Sequence, residues 1–339
     1  MHRHVLGRLA HIYAGDADSN NMRILITGGA GFIGANLTRE LLSHGHEVSI
    51  VDDLSTGKLS NLSGTGIEPT IGSIVDQDLM VALAQQADSI VHLAARSSVP
   101  KSLDDPFATH LANATGTLTV LEAARAVGGR HVIVASSSSV YGANEELPKR
   151  ESGMTRPLSP YAASKLAAES YALSYGTSFG VPTLAFRFFN VFGPLQAANH
   201  VYAAVIPAFV DAALRGLPLT LHGDGTQSRD FTTVGTLCRT LRSAVERQVT
   251  CASPVNLAFG SNIDLNSVIE RLSNRLDRPI VVNKVDRRRG DVPHSQADPS
   301  MLASLFPDIE PVDFDTGLDL TIDWMRTQRD TPLHVDLAS

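Results

Sequence analysis

An α/β architecture is what this sequence predicts: a doubly wound parallel sheet followed by a smaller C-terminal α/β substrate lobe. Three observations predict it. From Met22 onward, short β-branched apolar runs alternate with helical segments. A glycine-rich turn joins the first run to an amphipathic helix. Beyond Phe189, prolines and glycines break the alternation into shorter pieces.

The apolar runs are MRILIT, EVSIVD, SIVHLAA and HVIVASSSS, with helices expected over 32–44 and 78–86 between them. Runs this continuously apolar mark strands covered on both faces, and strand–helix alternation marks parallel βαβ units. In the first helix Ile33, Leu37 and Leu41 recur every four residues and give it an inward stripe. Past Phe189 come Pro194, Pro207, Pro218 and the segment LHGDGTQ. The chain therefore divides into a polar leader (1–21), a parallel-sheet domain (22–188), a lobe (189–330) that is expected to exchange segments with that domain, and a short tail (331–339). Neither a tandem repeat nor a low-complexity segment interrupts this order.

At 339 residues and 43% hydrophobic, the chain has ample material for a core. A net charge of -7, with Arg287-Arg288-Arg289 the longest basic run, argues against a nucleic-acid or anionic-membrane surface. Cys238 and Cys251 are the only cysteines and have no His at ligand spacing, so two reduced thiols are expected, with no zinc site and no disulfide framework. His2, His4 and His11 lie in the polar leader and are read as part of a surface arm. No stretch reaches the roughly 18 to 20 apolar residues of a membrane span, and the leader lacks a signal-peptide core, which makes the cytoplasm the expected compartment.

The turn Thr27-Gly28-Gly29-Ala30-Gly31-Phe32-Ile33-Gly34 satisfies both GxxGxxG and GxGxxG between a strand and a helix. Glycines there let backbone amides approach a pyrophosphate, and the helix N-terminus sets partial positive charge beneath it. The second strand ends in Val51-Asp52-Asp53, where an acid accepts from adenosine ribose hydroxyls. Together these define a Rossmann domain. The Asp52 carboxylate repels a 2'-phosphate, and no Arg immediately follows to neutralise one, so NAD is the expected cofactor rather than NADP.

Tyr161-Ala162-Ala163-Ser164-Lys165 opens a helix after Pro160, placing Tyr161 and Lys165 one turn apart on one face. A free phenol titrates near 10. An ammonium one turn away favours phenolate and suits Tyr161 to act as a base, although the spacing also fits a packed Tyr beside a solvated Lys. The run Ala135-Ser136-Ser137-Ser138-Ser139-Val140-Tyr141-Gly142 follows a strand and sits where open α/β sheets place their sites. One hydroxyl there suits a bridge to Tyr161; the others suit turn and cap roles.

Taken together, TGGAGFIG, Asp52, SSSSVYG, YAASK and Arg187-Phe188-Phe189-Asn190-Val191-Phe192-Gly193-Pro194 resemble the extended short-chain dehydrogenase/reductase family, in its nucleotide-sugar epimerase and dehydratase branch. The segments VDDLSTGKLSNL, HLAARSSVPKS, GDGTQSRDF and RRGDVPHSQAD resemble UDP-glucose 4-epimerases and, more closely, UDP-N-acetylglucosamine 4-epimerases. The resemblance runs from Met22 to about Met325. It implies Ser137, Tyr161 and Lys165 as catalytic residues. It implies that NAD is held by Gly28, Gly31, Phe32, Ile33 and Gly34, by Asp52, Asp53, Ser55, Thr56 and Gly57, and by Ser73 and Ile74. Leu93, Ala94, Ala95 and Arg96 join that site, with Asn113, Ser136, Tyr161, Lys165 and Phe188. For a UDP-sugar it implies Ser97, Ser98, Ser137, Asn190, Gln196, Ala204, Val205, Thr220, His222, Arg229, Arg288, Asp291 and Ser295. Arg229 and Arg288 fall on the family's diphosphate-binding arginines, where a bidentate guanidinium suits the ligand better than an ammonium. Ser295 falls on the position that sets pocket size, and Tyr202 and Ala203 also resemble the acetamido-using enzymes. Two departures stand out: Gly72-Ser73 replaces the family's adenine-reading Gly-Asp pair, and Ser97 replaces a glycine.

The family's 4,6-dehydratases carry an Asp and a Glu where this chain has Ser138 and Ser139, and a hydroxyl is no general acid at pH 7. The resemblance therefore implies carbon-4 epimerisation of UDP-glucose and UDP-galactose, extending to the 2-acetamido pair, with no metal. Another nucleotide-sugar reaction of the family (UDP-glucuronate epimerisation, decarboxylation or 4,6-dehydration) and a catalytically silent NAD-binding protein are the alternatives. A homodimer is also implied, its helices over 106–127 and 161–180 pairing across a two-fold axis.

Overall fold

The computed structural model describes residues 21–198, 203–287 and 292–330. The first half builds β1 (Arg23–Thr27), α1 (Phe32–Ser43), β2 (Glu47–Asp52), β3 (Thr70–Ile71), α2 (Gln77–Gln85), β4 (Ser89–His92), α3 (Val99–Asp104), α4 (Pro106–His110), α5 (Gly116–Ala126), β5 (His131–Ser137), α6 (Pro160–Phe179) and β6 (Thr183–Phe188). The second half continues with β7 (Asn190–Phe192), α7 (Val205–Arg215), β8 (Leu219–His222), β9 (Ser228–Arg229), β10 (Phe231–Thr233), α8 (Val234–Glu246), β11 (Val255–Leu257) and β12 (Ile263–Asp264). It ends with α9 (Leu265–Leu276), β13 (Val282–Val285), β14 (His294–Ser295), α10 (Ser300–Leu305) and α11 (Phe314–Asp330).

Seven strands form one parallel sheet in the order β11-β6-β5-β4-β1-β2-β3. The order reverses between β1 and β4, which opens a crevice at their C-terminal ends. The four central strands are almost wholly buried, as runs covered on both faces must be. One face carries Leu37 and Leu41 of α1 with Leu237, Leu241 and Val245 of α8; the other carries Met80 of α2, Val120 and Leu121 of α5, and Ala168 and Ala172 of α6. In α1 the apolar stripe is real at Leu37 and Leu41, while Ile33 is only half-buried near the helix start.

The sheet is not confined to residues 22–188. Its edge strand β11 and the covering helix α8 come from beyond residue 188, so the chain returns to the first domain after starting the lobe. One difference concerns 106–127, expected as one helix. It is divided into α4, a π-helical turn at Leu111–Thr115, and α5. The wider turn carries Asn113, which is buried with its side chain bonded to the Arg96 backbone and to Ser164; α5 then starts at Gly116, where a Cβ would meet Ile74 Cδ1 at 2.4 Å.

The lobe has its own core of Phe192, Phe209, Leu219, Phe231, Leu265 and Leu318. Its strands are short: β10 pairs with β7, β13 with β8, and β9 lies between β12 and β14. A third small cluster, Val140, Tyr141, Phe189, Ala258 and Ala297, joins the lobe to the sheet.

Candidate active site

The glycine turn closes on itself tightly. Gly28 has φ 73°, and a Cβ there would lie 2.7 Å from the Ala94 nitrogen; a Cβ at Gly34 would lie 2.4 Å from the Gly28 carbonyl oxygen. No side chain caps the N-terminus of α1 at Gly31, which leaves its first backbone amides facing an open cradle of the kind a pyrophosphate fills. Phe32 and Ile33 open that helix, half-buried. These residues fit a dinucleotide.

Asp52 is buried at the end of β2, where Oδ2 accepts from Ala30 N at 2.9 Å and Oδ1 from Leu54 N at 2.9 Å. Burial pushes its carboxyl up while those two bonds pull it down. Each oxygen keeps a further acceptor direction for ribose hydroxyls. Asp53 differs: it is exposed, and its Oδ1 accepts from Ser55 N (2.9 Å) and Ser55 Oγ (2.6 Å), so its side chain makes a local turn. Thr56 and Gly57 continue that loop, and a Cβ at Gly57 would press on Asp52 Oδ1 at 2.8 Å. Ser73 accepts from Val75 N at 3.4 Å, and Ile74 packs under Gly116.

Beyond β4, Leu93 N bonds Thr27 O and Ala94 N bonds Thr27 Oγ1, so the segment from Leu93 through Ala95 to Arg96 lies beside the glycine turn. Arg96 N donates to Asn113 Oδ1 at 2.8 Å, and Asn113 Nδ2 donates to Ser164 Oγ at 2.9 Å. Beneath them His92 bridges Thr27 Oγ1 (2.7 Å) and Thr117 Oγ1 (2.9 Å). Burial drives its pKa to about 3, with the Lys165 charge a lesser contributor, and the imidazole stays neutral.

Ser159 caps α6 by accepting from Ala162 N, and Pro160 occupies the first turn, so Tyr161 and Lys165 start the helix against the end of β5. Lys165 Nζ donates to Ala135 O at 2.8 Å. Burial lowers its pKa to about 8. Burial raises the Tyr161 phenol, and a hydrogen bond with Ser137 opposes that rise. Ser137 Oγ also accepts from Ser139 N at 3.1 Å, and its strand register sets it beside Phe188. The three residues thus meet at the C-terminal edge of the sheet. Strand alternation sends Ser136 to the opposite face, where its hydroxyl donates to Glu169 at 2.8 Å. A cofactor contact at Ser136 is left to its backbone.

Two residues of this region escaped the sequence reading. Glu169, one turn past Lys165, forms a buried bidentate pair with Arg187 at 2.9 and 2.7 Å, and Arg187 stacks over the Tyr141 ring at 4.7 Å. The spacing of four residues from Lys165 was the available signal.

Among the expected sugar-site residues, Ser98 caps α3 by accepting from Lys101 N at 3.3 Å, and Ser97 precedes it. Asn190 Nδ2 donates to Asp230 O at 3.3 Å. Arg229 on β9 pairs in register with Ser295 on β14, and its Nη1 donates to Ser228 O (2.8 Å) and Pro293 O (3.2 Å). Gln196 Nε2 donates to Val191 O at 3.1 Å, while its Oε1 is buried with no hydrogen-bond partner among the described residues. Ala204 and Val205 begin α7; Thr220 is exposed on β8; His222 Nδ1 lies 3.1 Å from Asp286 O. Arg288, Asp291 and Tyr202 lie outside the described residues. Asp230, also missed, is wholly buried.

Among the described residues no group of three or more His, Cys, Asp or Glu is placed to hold a metal, and no helix is long and apolar enough to cross a membrane.

A glycine cradle at the switch point of a parallel sheet, with Ser, Tyr and Lys converging beside it, defines a Rossmann-type dinucleotide enzyme. The sequence pattern of the NAD dependent epimerase/dehydratase family matches residues 24–258, and the chain belongs to that family and uses NAD. A protein of Rhizobium meliloti (strain 1021), named a probable UDP-glucuronate 4-epimerase, is 32% identical over 333 residues, covering 89% of this chain and 96% of its own. The structure of a UDP-N-acetylglucosamine 4-epimerase from Methanobrevibacter ruminantium M1, in complex with UDP-N-acetylmuramic acid, superposes with a TM-score of 0.86 at 35% identity, covering 91% of this chain and 99% of that one. A UDP-glucose 4-epimerase from Thermus thermophilus, in complex with NAD, gives 0.82 at 32% identity, covering 90% and 99%.

Proposed function

We propose that this protein inverts carbon 4 of a UDP-hexose, interconverting UDP-glucose with UDP-galactose and UDP-N-acetylglucosamine with UDP-N-acetylgalactosamine. The observation that carries the reaction class is the meeting of Ser137, Tyr161 and Lys165 at a strand end, followed by a turn whose first residues are Ser138 and Ser139. Tyr161 takes the proton of the 4-hydroxyl, Ser137 orients that hydroxyl, and the Lys165 ammonium favours the phenolate. NAD, when bound, supplies the hydride acceptor for carbon 4 and a positive charge. Ser138 and Ser139 offer no acid or base near neutrality, which disfavours dehydration and weakens a decarboxylase reading. Arg229 would anchor the diphosphate while the hexose turns, so that carbon 4 takes the hydride back on its other face and Tyr161 returns the proton to the oxygen, with no net change of oxidation state.

Two features support the acetamido pair. Ser295 is small and lies beside Arg229 in register, and the buried Gln196 Oε1, which has no partner among the described residues, is an acceptor for an amide N–H. The likeness to the Methanobrevibacter enzyme favours the same substrates. A second reading, UDP-glucuronate epimerisation, is favoured by the Rhizobium relative. Incubation with UDP-glucose, UDP-N-acetylglucosamine and UDP-glucuronate in parallel, with products resolved by NMR, tests both. Galacto-configured products from the first two are expected; conversion of UDP-glucuronate alone, or carbon dioxide release, overturns the proposal.

The protein is further proposed to act as a homodimer. Leu103 (64% exposed) lies near the end of α3, Phe107 (88%) on α4 and Leu111 (51%) at the start of the π turn, and Phe107 lines a recess of about 460 Å³ with Pro106, His110, Pro160, Ala163 and Ala167. The mass of the protein in solution tests this.

A further inference from the structure

Asp230 performs no step in the proposed reaction, yet it is the polar centre of the lobe's site. Its carboxylate accepts from three donors on two segments: Oδ2 from Gly260 N and Ala297 N, both at 3.0 Å, and Oδ1 from Ser261 Oγ at 3.0 Å. Its carbonyl oxygen accepts from Asn190 N at 3.1 Å and Asn190 Nδ2 at 3.3 Å. In sequence it directly follows Arg229.

Of the segments that Asp230 ties down, those of Asn190 and Ala297 carry residues of the UDP-sugar site, and Gly260-Ser261 carries none. Asn190 stands on β7, Arg229 on β9, and Ser295 on β14, two positions before the held Ala297. The strands involved are two or three residues long, too short to fix one another by their own ladders. A buried negative charge next to a diphosphate site works against anion binding and is expensive to desolvate. Its place in the site is therefore explained by the bonds it accepts.

We infer that Asp230 is a positioning residue that holds the diphosphate-binding Arg229, Asn190 and the pocket wall at Ser295 at fixed separations, so that UDP affinity depends on it while hydride and proton transfer do not. This inference rests on the proposed function. It predicts a split in which substrate binding fails and chemistry survives.

The test uses the NAD-loaded protein and UDP itself, titrated calorimetrically, alongside steady-state kinetics. Asp230→Ala is expected to weaken UDP and raise KM for UDP-glucose by at least about tenfold, the scale of losing charged hydrogen bonds, with kcat within about threefold of wild type and NAD content unchanged. Asp230→Asn is expected to stay within about threefold in UDP affinity, since its amide oxygen can accept both N–H groups and its amide nitrogen can donate to Ser261 Oγ. Unchanged UDP affinity in Asp230→Ala, or a fall in kcat without a change in KM, overturns the inference alone. A wild-type protein that does not bind UDP overturns the functional reading and this inference together. If Asp230→Ala does not fold, Ser261→Ala removes one donor from the same carboxylate; a rise of about threefold in UDP Kd supports the inference and no change overturns it.

Discussion

The parallel sheet and the C-terminal lobe are held in order by different means. In the sheet, β1, β4, β5 and β6 are nearly continuous apolar runs whose side chains are buried on both faces, and backbone ladders set their register. In the lobe, strands of two to four residues pair over short ladders, and side chains add further ties: Asp230 holds Gly260 and Ala297, Asp264 caps α9 at Ser267, and Ser261 accepts from Phe231 N. On the proposed reading, chemistry falls on the sheet and substrate recognition on the part ordered by a few polar residues. Proton transfer tolerates little displacement, whereas a pocket is reshaped by single substitutions.

If this division holds, removing the phenol should damage turnover most. Tyr161→Phe leaves every backbone ladder and the glycine cradle untouched, and is expected to lower turnover on UDP-glucose by at least about 100-fold, the usual scale for a positioned base. NAD content, read from the absorbance of the purified protein, stays that of wild type. Turnover near wild type would show that the sheet edge does not carry the chemistry.

The same contrast explains what could be read from the chain. Strand β4 falls within SIVHLAA as expected, because a strand buried on both faces writes its own apolar run into the sequence. Tyr161 and Lys165 were legible because their spacing is one helical turn, set within α6 itself. The break at Leu111–Thr115 was not, since the π turn is held by Asn113 reaching Arg96 and Ser164, partners distant in sequence. Asp230 escaped for the same reason: its three donors lie 30 to 67 positions away, and nothing near it marks it as buried. Ser98 and Ser136 fall on ligand positions of the family by resemblance; their hydroxyls also cap α3 and bond the Glu169 carboxylate, contacts that the sequence does not signal.

A smaller effect is expected at Asp52, which belongs to the sheet but serves binding. Asp52→Ala removes the acceptor for Ala30 N and Leu54 N and, on the cofactor reading, one for the ribose, a loss of roughly 1.5 to 3 kcal/mol in NAD affinity for a charged hydrogen bond. Titration of cofactor-depleted protein measures it. Binding of NADP by the unsubstituted protein as tightly as NAD would contradict the role given to this carboxylate.

The smallest effect on UDP-glucose turnover is expected from Ser295→Tyr, and it sharpens the comparison most. Ser295 is buried on β14 beside Arg229, so a phenol ring there adds volume to the lobe. A 2-acetamido group needs space that a small side chain leaves and a large one fills, and an overfilled pocket rejects a ligand by sterics while its hydrogen-bonding groups remain. Activity on UDP-N-acetylglucosamine should therefore disappear, while UDP-glucose turnover stays within about threefold of wild type, a cost below that of one methylene misfit. Parallel assays on the two substrates read both outcomes. Loss of both activities would mean that the short strands transmit strain to the chemistry; loss of neither would mean that Ser295 packs the lobe and faces no substrate.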